Sequence, residues 1–143
     1  MNVLEILSVK GIDVVTIEPN ANLAAAARLL AERRIGALVV TGPAGRIAGI
    51  LSERDIVHAL ATRGDAALET PIAEVMTRKV TTCNPSDTIG SIMERMTAGK
   101  FRHVPVVEQG RLTGIISIGD VVKHRLMEME HEQSALRDYI QTA

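Results

Sequence analysis

Short apolar runs alternate with polar breaks along the first half of the chain, and their spacing predicts strands and helices in a fixed order. A β-rich run ends at Pro19, and Asn22 can cap the Ala- and Leu-rich helix that follows. Two apolar strands then flank a Gly-Pro-Ala-Gly turn, and Ser52 can cap a second helix. The predicted elements are residues 13–17, 23–33, 37–41, 46–51 and 52–62 in β-α-β-β-α order.

The same order returns in the second half of the chain. Ser86 or Asp87 can cap its first helix, and Ser117 can cap its last. Between the halves, residues 63–71 read as a linker, and residues 72–76 as a short helical turn. The predicted elements are a strand at 80–83, a helix to 97, strands at 104–107 and 111–116, and a long helix from 117.

The two halves are copies of one unit. Residues 14–19 (VVTIEP) match residues 80–85 (VTTCNP), and residues 46–52 (RIAGILS) match residues 111–117 (RLTGIIS). The offset falls from 66 to 65 residues between the two matches, so one residue is lost in the intervening Gly-rich turn, where hairpins tolerate it. Neither half is expected to fold alone at this size, so the two sheets should pack together about a pseudo-twofold axis.

Composition narrows the functional classes. Only Phe101 and Tyr139 are aromatic, so the core must be built from Ala, Val, Ile, Leu and Met. A net charge of −1 and few stacking side chains argue against nucleic acid as a partner. Without a signal-like or long apolar segment, no membrane association is expected, and the protein should be soluble and cytoplasmic. Cys83 alone cannot form an internal disulfide or a multi-cysteine metal site.

A G-x-x-S-x-x-D motif occurs at the same strand-to-helix junction of both repeats, at residues 49–55 and 114–120. A helix start offers unpaired N–H groups and partial positive charge to an anion. The serine hydroxyl can cap the helix or donate to a phosphate, and the aspartate can accept two hydrogen bonds from a vicinal diol such as ribose. The alternative is a capping box with Asp in place of Glu. Recurrence at equivalent points of a repeat favours ligand binding.

With these motifs, the sequence resembles the CBS domain family over nearly its whole length, and in particular its small bacterial and plant mitochondrial two-motif members. The resemblance implies an α/β (α+β) fold in which two β-α-β-β-α motifs, together called a Bateman module, pack about a pseudo-twofold axis, with an extended C-terminal helix. The expected divisions are an N-terminal segment (1–9), the first motif (10–62), a linker (63–75), the second motif (76–127) and a helical extension (128–143).

The resemblance also implies two clefts that bind AMP, ADP, ATP, NAD or S-adenosyl compounds. In it, each motif aspartate holds a ribose, each serine lies near phosphate, and the first strands contact adenine. No catalytic residue, catalytic cofactor or metal is expected. The implied ligand-binding residues are Lys10, Val14, Thr16, Ser52, Arg54, Asp55, Thr77, Val80, Thr82, Arg102, His103, Pro105, Ser117 and Asp120.

The two implied clefts differ in charge. In the family, the hairpin strand of one motif supplies phosphate ligands to the aspartate of the other. Asp55 would thus receive Arg102 and His103, with Arg54 beside it, whereas Asp120 would face glycine and alanine. Because charge-assisted bonds to phosphate are the stronger ones, the Asp55 cleft should dominate. The alternatives are that His103 is a satisfied sheet-edge histidine and that Arg102 is solvated.

Other chemically suggestive residues have simpler interpretations. Met93 and Met96 lie three residues apart on a predicted helix and are expected in the core. Cys83 should be a small strand residue and not a redox centre. His124 and His131 share a helix face without a third metal ligand, so solvated surface is expected for both.

The last helix should run past twenty residues, because no proline interrupts it. Along it, apolar residues recur at alternating spacings of four and three, a heptad seam with one polar member. The part up to Leu126 is expected to pack on its own domain, and the rest to form a homodimer contact. The seam residues are Val122, Leu126, Met129, Gln133, Leu136 and Ile140.

The sequence therefore predicts a regulatory sensor in signal transduction: a nucleotide binds, and an unidentified partner protein responds. A structural dimer with empty clefts is one alternative. An enzyme is the other, although the sequence has no Ser-His-Asp set, P-loop or G-x-G-x-x-G.

Overall fold

The computed structural model describes residues 1–142. Short 3₁₀ turns at Pro43–Gly45, Gly64–Glu69 and Ile72–Glu74 connect the regular elements. The helices are α1 (Val3–Lys10), α2 (Leu23–Arg33), α3 (Glu53–Arg63), α4 (Ile89–Gly99) and α5 (Ile118–Thr142). The strands are β1 (Thr16–Ile17), β2 (Ala37–Thr41), β3 (Ile47–Ser52), β4 (His103–Glu108) and β5 (Arg111–Ser117).

The chain forms two compact units, each built around one repeat. The N-repeat unit comprises residues 13–81 and 109–113, and the C-repeat unit comprises residues 1–12, 82–108 and the described residues from 114 onward. In the N-repeat unit, β1 runs parallel to β2, and β2 runs antiparallel to β3. In the C-repeat unit, β4 pairs with β5.

The first repeat follows its predicted elements closely. Asn22 caps α2 by accepting a hydrogen bond from the Ala25 N–H (2.9 Å), as its position predicts. The β2–β3 turn closes through a hydrogen bond from the Gly42 N–H to the Arg46 carbonyl (2.8 Å). The predicted strand at residues 13–17 is shorter than expected, since only Thr16 and Ile17 pair with β2.

The second repeat departs from its predicted elements at two places. Residues 80–83 form no strand in the structure, and only Cys83 makes an isolated parallel bridge, to Val106. The cap of α4 is Thr88, whose hydroxyl accepts from the Ser91 N–H (3.1 Å), and not Ser86 or Asp87. The Asp87 carboxylate instead accepts from the Asn84 N–H (2.8 Å), which closes the turn before the helix.

Each unit has an aliphatic core, as the composition predicts. Phe101 only packs at the edge of the C-repeat core, and Tyr139 is exposed. Met96 is buried and Met93 packs against the same core, which confirms the interpretation of both. The fully buried large side chains include Leu23, Leu38, Leu51 and Ile72 in the N-repeat unit, and Ile6, Ile89, Ile92, Met96 and Ile116 in the C-repeat unit.

The segment that precedes each repeat packs into the unit of the other repeat. Residues 72–77 lie beside β3, where Ile50 and Thr77 exchange two backbone hydrogen bonds of 2.9 Å. In the C-repeat unit, α1 takes the corresponding place, with Leu7 against Gly114 of β5. Gly49 and Gly114 are equivalent glycines, and a Cβ at either position would come within 2.7 Å of the segment that crosses the sheet.

Helix α5 is 25 residues long, which confirms the predicted length. Its buried residues are Val121 and His124. The expectation that His124 is solvated is therefore wrong. The first part of α5 packs on its own unit, as expected, but through Val121 and His124 and not through the seam residues. The heptad seam lies beside the buried stripe, so Val122 and Leu126 are exposed. His131 is exposed, as expected.

Candidate functional site

The motif of the first repeat forms the junction between β3 and α3. Asp55 Oδ2 accepts a hydrogen bond from the Ser52 N–H (2.9 Å), and Ser52 Oγ accepts one from the Asp55 N–H (3.3 Å). This reciprocal pair is a capping box, so the capping interpretation of the motif is correct. Both side chains remain half-buried, at the surface of the N-repeat unit.

Capping does not use up the Asp55 carboxylate. Within residues 1–142, the hydrogen bonds of its side chain involve Oδ2 alone, and Asp55 takes part in no ion pair. The first N–H of α3, that of Glu53, does not bond to the carboxylate, because it donates to the Gly36 carbonyl (3.0 Å). An acceptor with spare capacity therefore stands at a fixed point beside the start of α3, while Arg54 is exposed in the first turn of the helix.

Sheet register places other predicted ligand residues at the same edge of the N-repeat unit. Ser52 at the end of β3 pairs with Ala37, and Thr16 pairs with Val39 two residues further along β2. Val14 lies two residues before Thr16, so the same register places it level with Ala37 and Ser52. Thr77 is fixed next to β3 through Ile50, and both Thr16 and Thr77 are exposed. Val80 is half-buried in the segment that follows.

The motif of the second repeat has the same capping bonds with an added cation. Asp120 Oδ2 accepts from the Ser117 N–H (2.8 Å) and Ser117 Oγ (3.0 Å), and Ser117 Oγ accepts from the Asp120 N–H (3.2 Å). The Lys10 ammonium also donates to Asp120 Oδ2 (2.6 Å) and to the Ile115 carbonyl (2.8 Å). Lys10 therefore lies at the second motif.

The electrostatics of Asp120 follow from these contacts. Burial of its carboxyl opposes ionisation, but the hydrogen bonds from Lys10 and from the Ser117 backbone outweigh burial and hold the Asp120 pKa below its ordinary value. The carboxylate is thus ionised and paired at neutral pH. A ligand diol would have to share it with, or take it from, the lysine.

The remaining predicted ligand residues lie on or near the β4 segment of the C-repeat unit. Arg102 is exposed, and its carbonyl accepts from the Ile118 N–H at the start of α5 (2.8 Å). His103 begins β4 and is half-buried, whereas Pro105 is buried and accepts a hydrogen bond from the Cys83 N–H (3.0 Å). Thr82 is exposed next to that bridge. The expectation that Arg102 and His103 serve Asp55 joins residues of both units and stays a prediction.

Cys83 is a buried thiol of the C-repeat core. Burial is the main cause that raises its pKa to about 12, and the nearby Asp87 charge adds to the shift. Because the thiolate is the reactive form, the side chain is suited to packing and not to redox chemistry.

Sequence reasoning misses helix α1, treating residues 1–9 as a plain segment, and with it the Lys10–Asp120 pair. Two signals could have found the helix: Asn2 caps it by accepting from the Glu5 N–H (3.1 Å), and Val3, Ile6 and Leu7 recur at helical spacing. That this helix packs in the unit of the second repeat is a tertiary fact with no local signal.

Among residues 1–142, no group of three or more His, Cys, Asp or Glu side chains is placed to hold a metal ion. Nor does any helix in this part of the chain combine the length and apolarity that crossing a membrane requires.

The sequence model of the CBS domain matches residues 9–62 and 72–126. Among curated proteins, the mitochondrial CBS domain-containing protein CBSX3 of Arabidopsis thaliana is 33% identical over 120 residues, which cover 81% of this chain and 58% of the relative. The chain thus spans little more than half the length of that relative.

Solved structures give the same result. A CBS-domain-containing protein of Agrobacterium tumefaciens is 49% identical, with a TM-score of 0.85 over 87% of this chain and 92% of that one. The CBS domain pair of protein MJ0100, solved in complex with 5′-methylthioadenosine and S-adenosyl-L-methionine, is 27% identical, with a TM-score of 0.78 over 91% of this chain and 98% of that one.

Proposed function

This chain belongs to the CBS domain family, and we propose that it is a regulatory module that binds an adenine nucleotide (AMP, ADP, ATP or NAD) as its ligand. In this proposal the ligand ribose is held by Asp55 and its phosphate lies toward Ser52 and the start of α3. Binding alters the module, and a partner protein responds to the change. The ligand acts as a signal and is not consumed.

The observation that carries the proposal is the Ser52–Asp55 turn. Its capping bonds fix the carboxylate in place, so little ordering is required when a diol binds. Asp55 is half-buried, forms no ion pair within the described residues, and keeps acceptor capacity for two hydroxyl groups. A carboxyl group held in this position is well suited to accept hydrogen bonds from the two hydroxyl groups of a ribose.

The ligand class is supported by similarity to the MJ0100 domain pair, whose two bound molecules are both adenosine derivatives. Adenosine is what those molecules share with AMP, ADP, ATP and NAD. A site that recognises the base and ribose would accept any of them, and the groups beyond the ribose would decide among them.

Asp55 is proposed as the principal site and Asp120 as the weaker one. Lys10 is bonded to the Asp120 carboxylate, so a diol there competes with an ion pair that is partly shielded from water. At Asp55 no ion pair within the described residues competes with a diol. The predicted contribution of Arg54, Arg102 and His103 to phosphate binding at Asp55 favours the same order.

Two experiments test the proposal. Mass spectrometry of small molecules released from the purified, denatured protein should find an adenine nucleotide. Thermal unfolding should shift upward with AMP, ADP, ATP or NAD, by mass action on the folded state, and not with the corresponding guanine nucleotides.

The rival functions predict other outcomes. No shift with any adenine compound, and none co-purified, would favour a structural module with empty clefts. Chromatography of each nucleotide after long incubation separates binding from catalysis, because an enzyme would convert its ligand and a sensor would return it unchanged.

A further inference from the structure

We propose that residues 122–140 of α5 pair with the same segment of a second copy of this chain, in register, as a parallel two-stranded coiled coil. The contact would involve the outer part of the C-terminal helix. It is independent of the ligand site and goes beyond the proposed function.

The exposed face of α5 is the first observation. Val122, Leu126, Met129, Leu136 and Ile140 are between 42% and 64% exposed, although they form one apolar stripe that only Gln133 interrupts. Spacings of four and three residues are those of the inner positions of a coiled coil. Nothing among residues 1–142 covers this stripe of five turns, and a partner helix of the same length would bury it.

The charges that flank the stripe identify that partner and its direction. In a parallel coiled coil, the residue that directly precedes the first inner position of a heptad flanks the interface. It faces the residue five positions further along the second helix. This rule places Arg125 opposite Glu130 of the second copy, and Glu132 opposite Arg137 of the second copy. Both pairs are attractive, and each occurs twice by symmetry.

An antiparallel pair over the same residues would be repulsive. In an antiparallel coiled coil, each flanking position of the heptad faces the same heptad position on the other helix. Glu130 would therefore approach Glu130 of the second copy, and Glu132 would approach Glu132 of the second copy. Lys123 would approach Arg137 in the same way. Like charges at these positions act against the antiparallel arrangement.

Gln133 supports the in-register arrangement. It is the one polar member of the stripe, and in a parallel in-register dimer it meets its own copy. Two amides can then bond to each other, whereas a shifted register would set each against an apolar residue. A single polar inner residue is a known way to specify register.

Dimer mass by light scattering tests the contact itself. Leu136→Glu with Ile140→Glu puts unpaired charge into the interface and should raise the dimer Kd at least about tenfold. The matched control is Ser134→Glu with Gln141→Glu, which adds the same charges outside the stripe and should leave the dimer intact. Circular dichroism checks that both variants stay folded, which is expected because all four substituted positions are exposed. A monomeric wild type, or an unchanged dimer in the first variant, would overturn the proposal.

Arg137→Glu tests the direction. Arg125 is already ion-paired with Glu128 of its own chain (2.6 Å), so the Glu132–Arg137 pair gives the cleaner test. A parallel dimer is weakened by Arg137→Glu and restored by adding Glu132→Arg, whereas an antiparallel one is strengthened by the first change. In a Cys83→Ala background, oxidation should cross-link Gln133→Cys chains but not chains with the outward Asp138→Cys. Strengthening by Arg137→Glu, or no cross-link through position 133, would contradict a parallel register.

Discussion

The two serine–aspartate turns have the same capping bonds but different electrostatic surroundings. The Asp55 carboxylate accepts from backbone alone, whereas the Asp120 carboxylate also accepts from Ser117 Oγ (3.0 Å) and from the Lys10 ammonium (2.6 Å). The lysine comes from outside the repeats, because the segment before the first repeat is a helix that ends at Lys10, whereas the segment before the second is a short turn at Ile72–Glu74. The two copies of the motif thus differ in charge environment because the segments that precede the repeats differ in sequence.

The largest expected difference concerns the glycines where those neighbours cross the sheets. A Cβ at Gly49 would lie 2.8 Å from the Thr77 carbonyl, which is backbone, whereas the three atoms nearest to a Cβ at Gly114 belong to the Leu7 side chain, the first at 2.7 Å. Gly49→Ala should therefore lower the free energy of unfolding by about 1–3 kcal/mol. Gly114→Ala should cost less than Gly49→Ala, because a side chain can rotate away. Urea denaturation of both variants decides this, and equal losses would show that the two crossings are equally rigid.

Arg102→Ala sharpens the predicted charge difference between the sites. If its guanidinium serves the ligand phosphate, AMP should lose about 1.5–3 kcal/mol of binding free energy and adenosine almost none. Adenosine is therefore the internal control, measured by calorimetry on the same preparation. An equal loss for AMP and adenosine would assign Arg102 a structural role.

Lys10→Met removes the feature that distinguishes Asp120. A carboxyl whose pKa is lowered by folding stabilises the protein at neutral pH, and that contribution is lost as pH falls from about 4 through the lowered pKa. At neutral pH the variant should lose about 0.5–1 kcal/mol, since the pair is partly exposed. Thermal melts of wild type and variant should converge at low pH. A constant difference at all pH values would mean that Lys10 contributes through packing alone.

Local signals in the sequence are enough to predict much of the fold. Asn22 and Ser52 are caps that act through their nearest neighbours, and the repeat carries the element order from one half to the other. Residues 80–83 mislead because equivalence to β1 implies a strand, yet only Cys83 finds a bridging partner in the structure. His124 misleads because helix α5 turns it inward beside Val121, which the spacing of apolar residues alone does not reveal.

The candidate site is less predictable than the fold. The motif identifies Ser52, Asp55 and their second copies, because both members of each pair lie three residues apart on one turn. The Lys10–Asp120 pair spans 110 residues of sequence, and no local pattern points to such a contact. The prediction for Arg102 and His103 comes from the family resemblance, and ligand titration of Arg102→Ala tests it.

The most direct measurement of the central claim is a calorimetric titration of Asp55→Ala and Asp120→Ala side by side. The ligand is the member of the AMP, ADP, ATP and NAD series that gives the largest thermal shift. Both changes remove the carboxylate that accepts from the backbone N–H of the preceding serine, so each controls for the loss of that capping bond. Asp120→Ala also removes the bonds from Ser117 Oγ and Lys10, so any general destabilisation of the helix start should be at least as large in that variant. The account predicts that Asp55→Ala costs about 1.5–3 kcal/mol, or roughly 10- to 150-fold in Kd, and that Asp120→Ala changes Kd by less than about twofold. Unchanged affinity in Asp55→Ala, or the larger loss in Asp120→Ala, would contradict it.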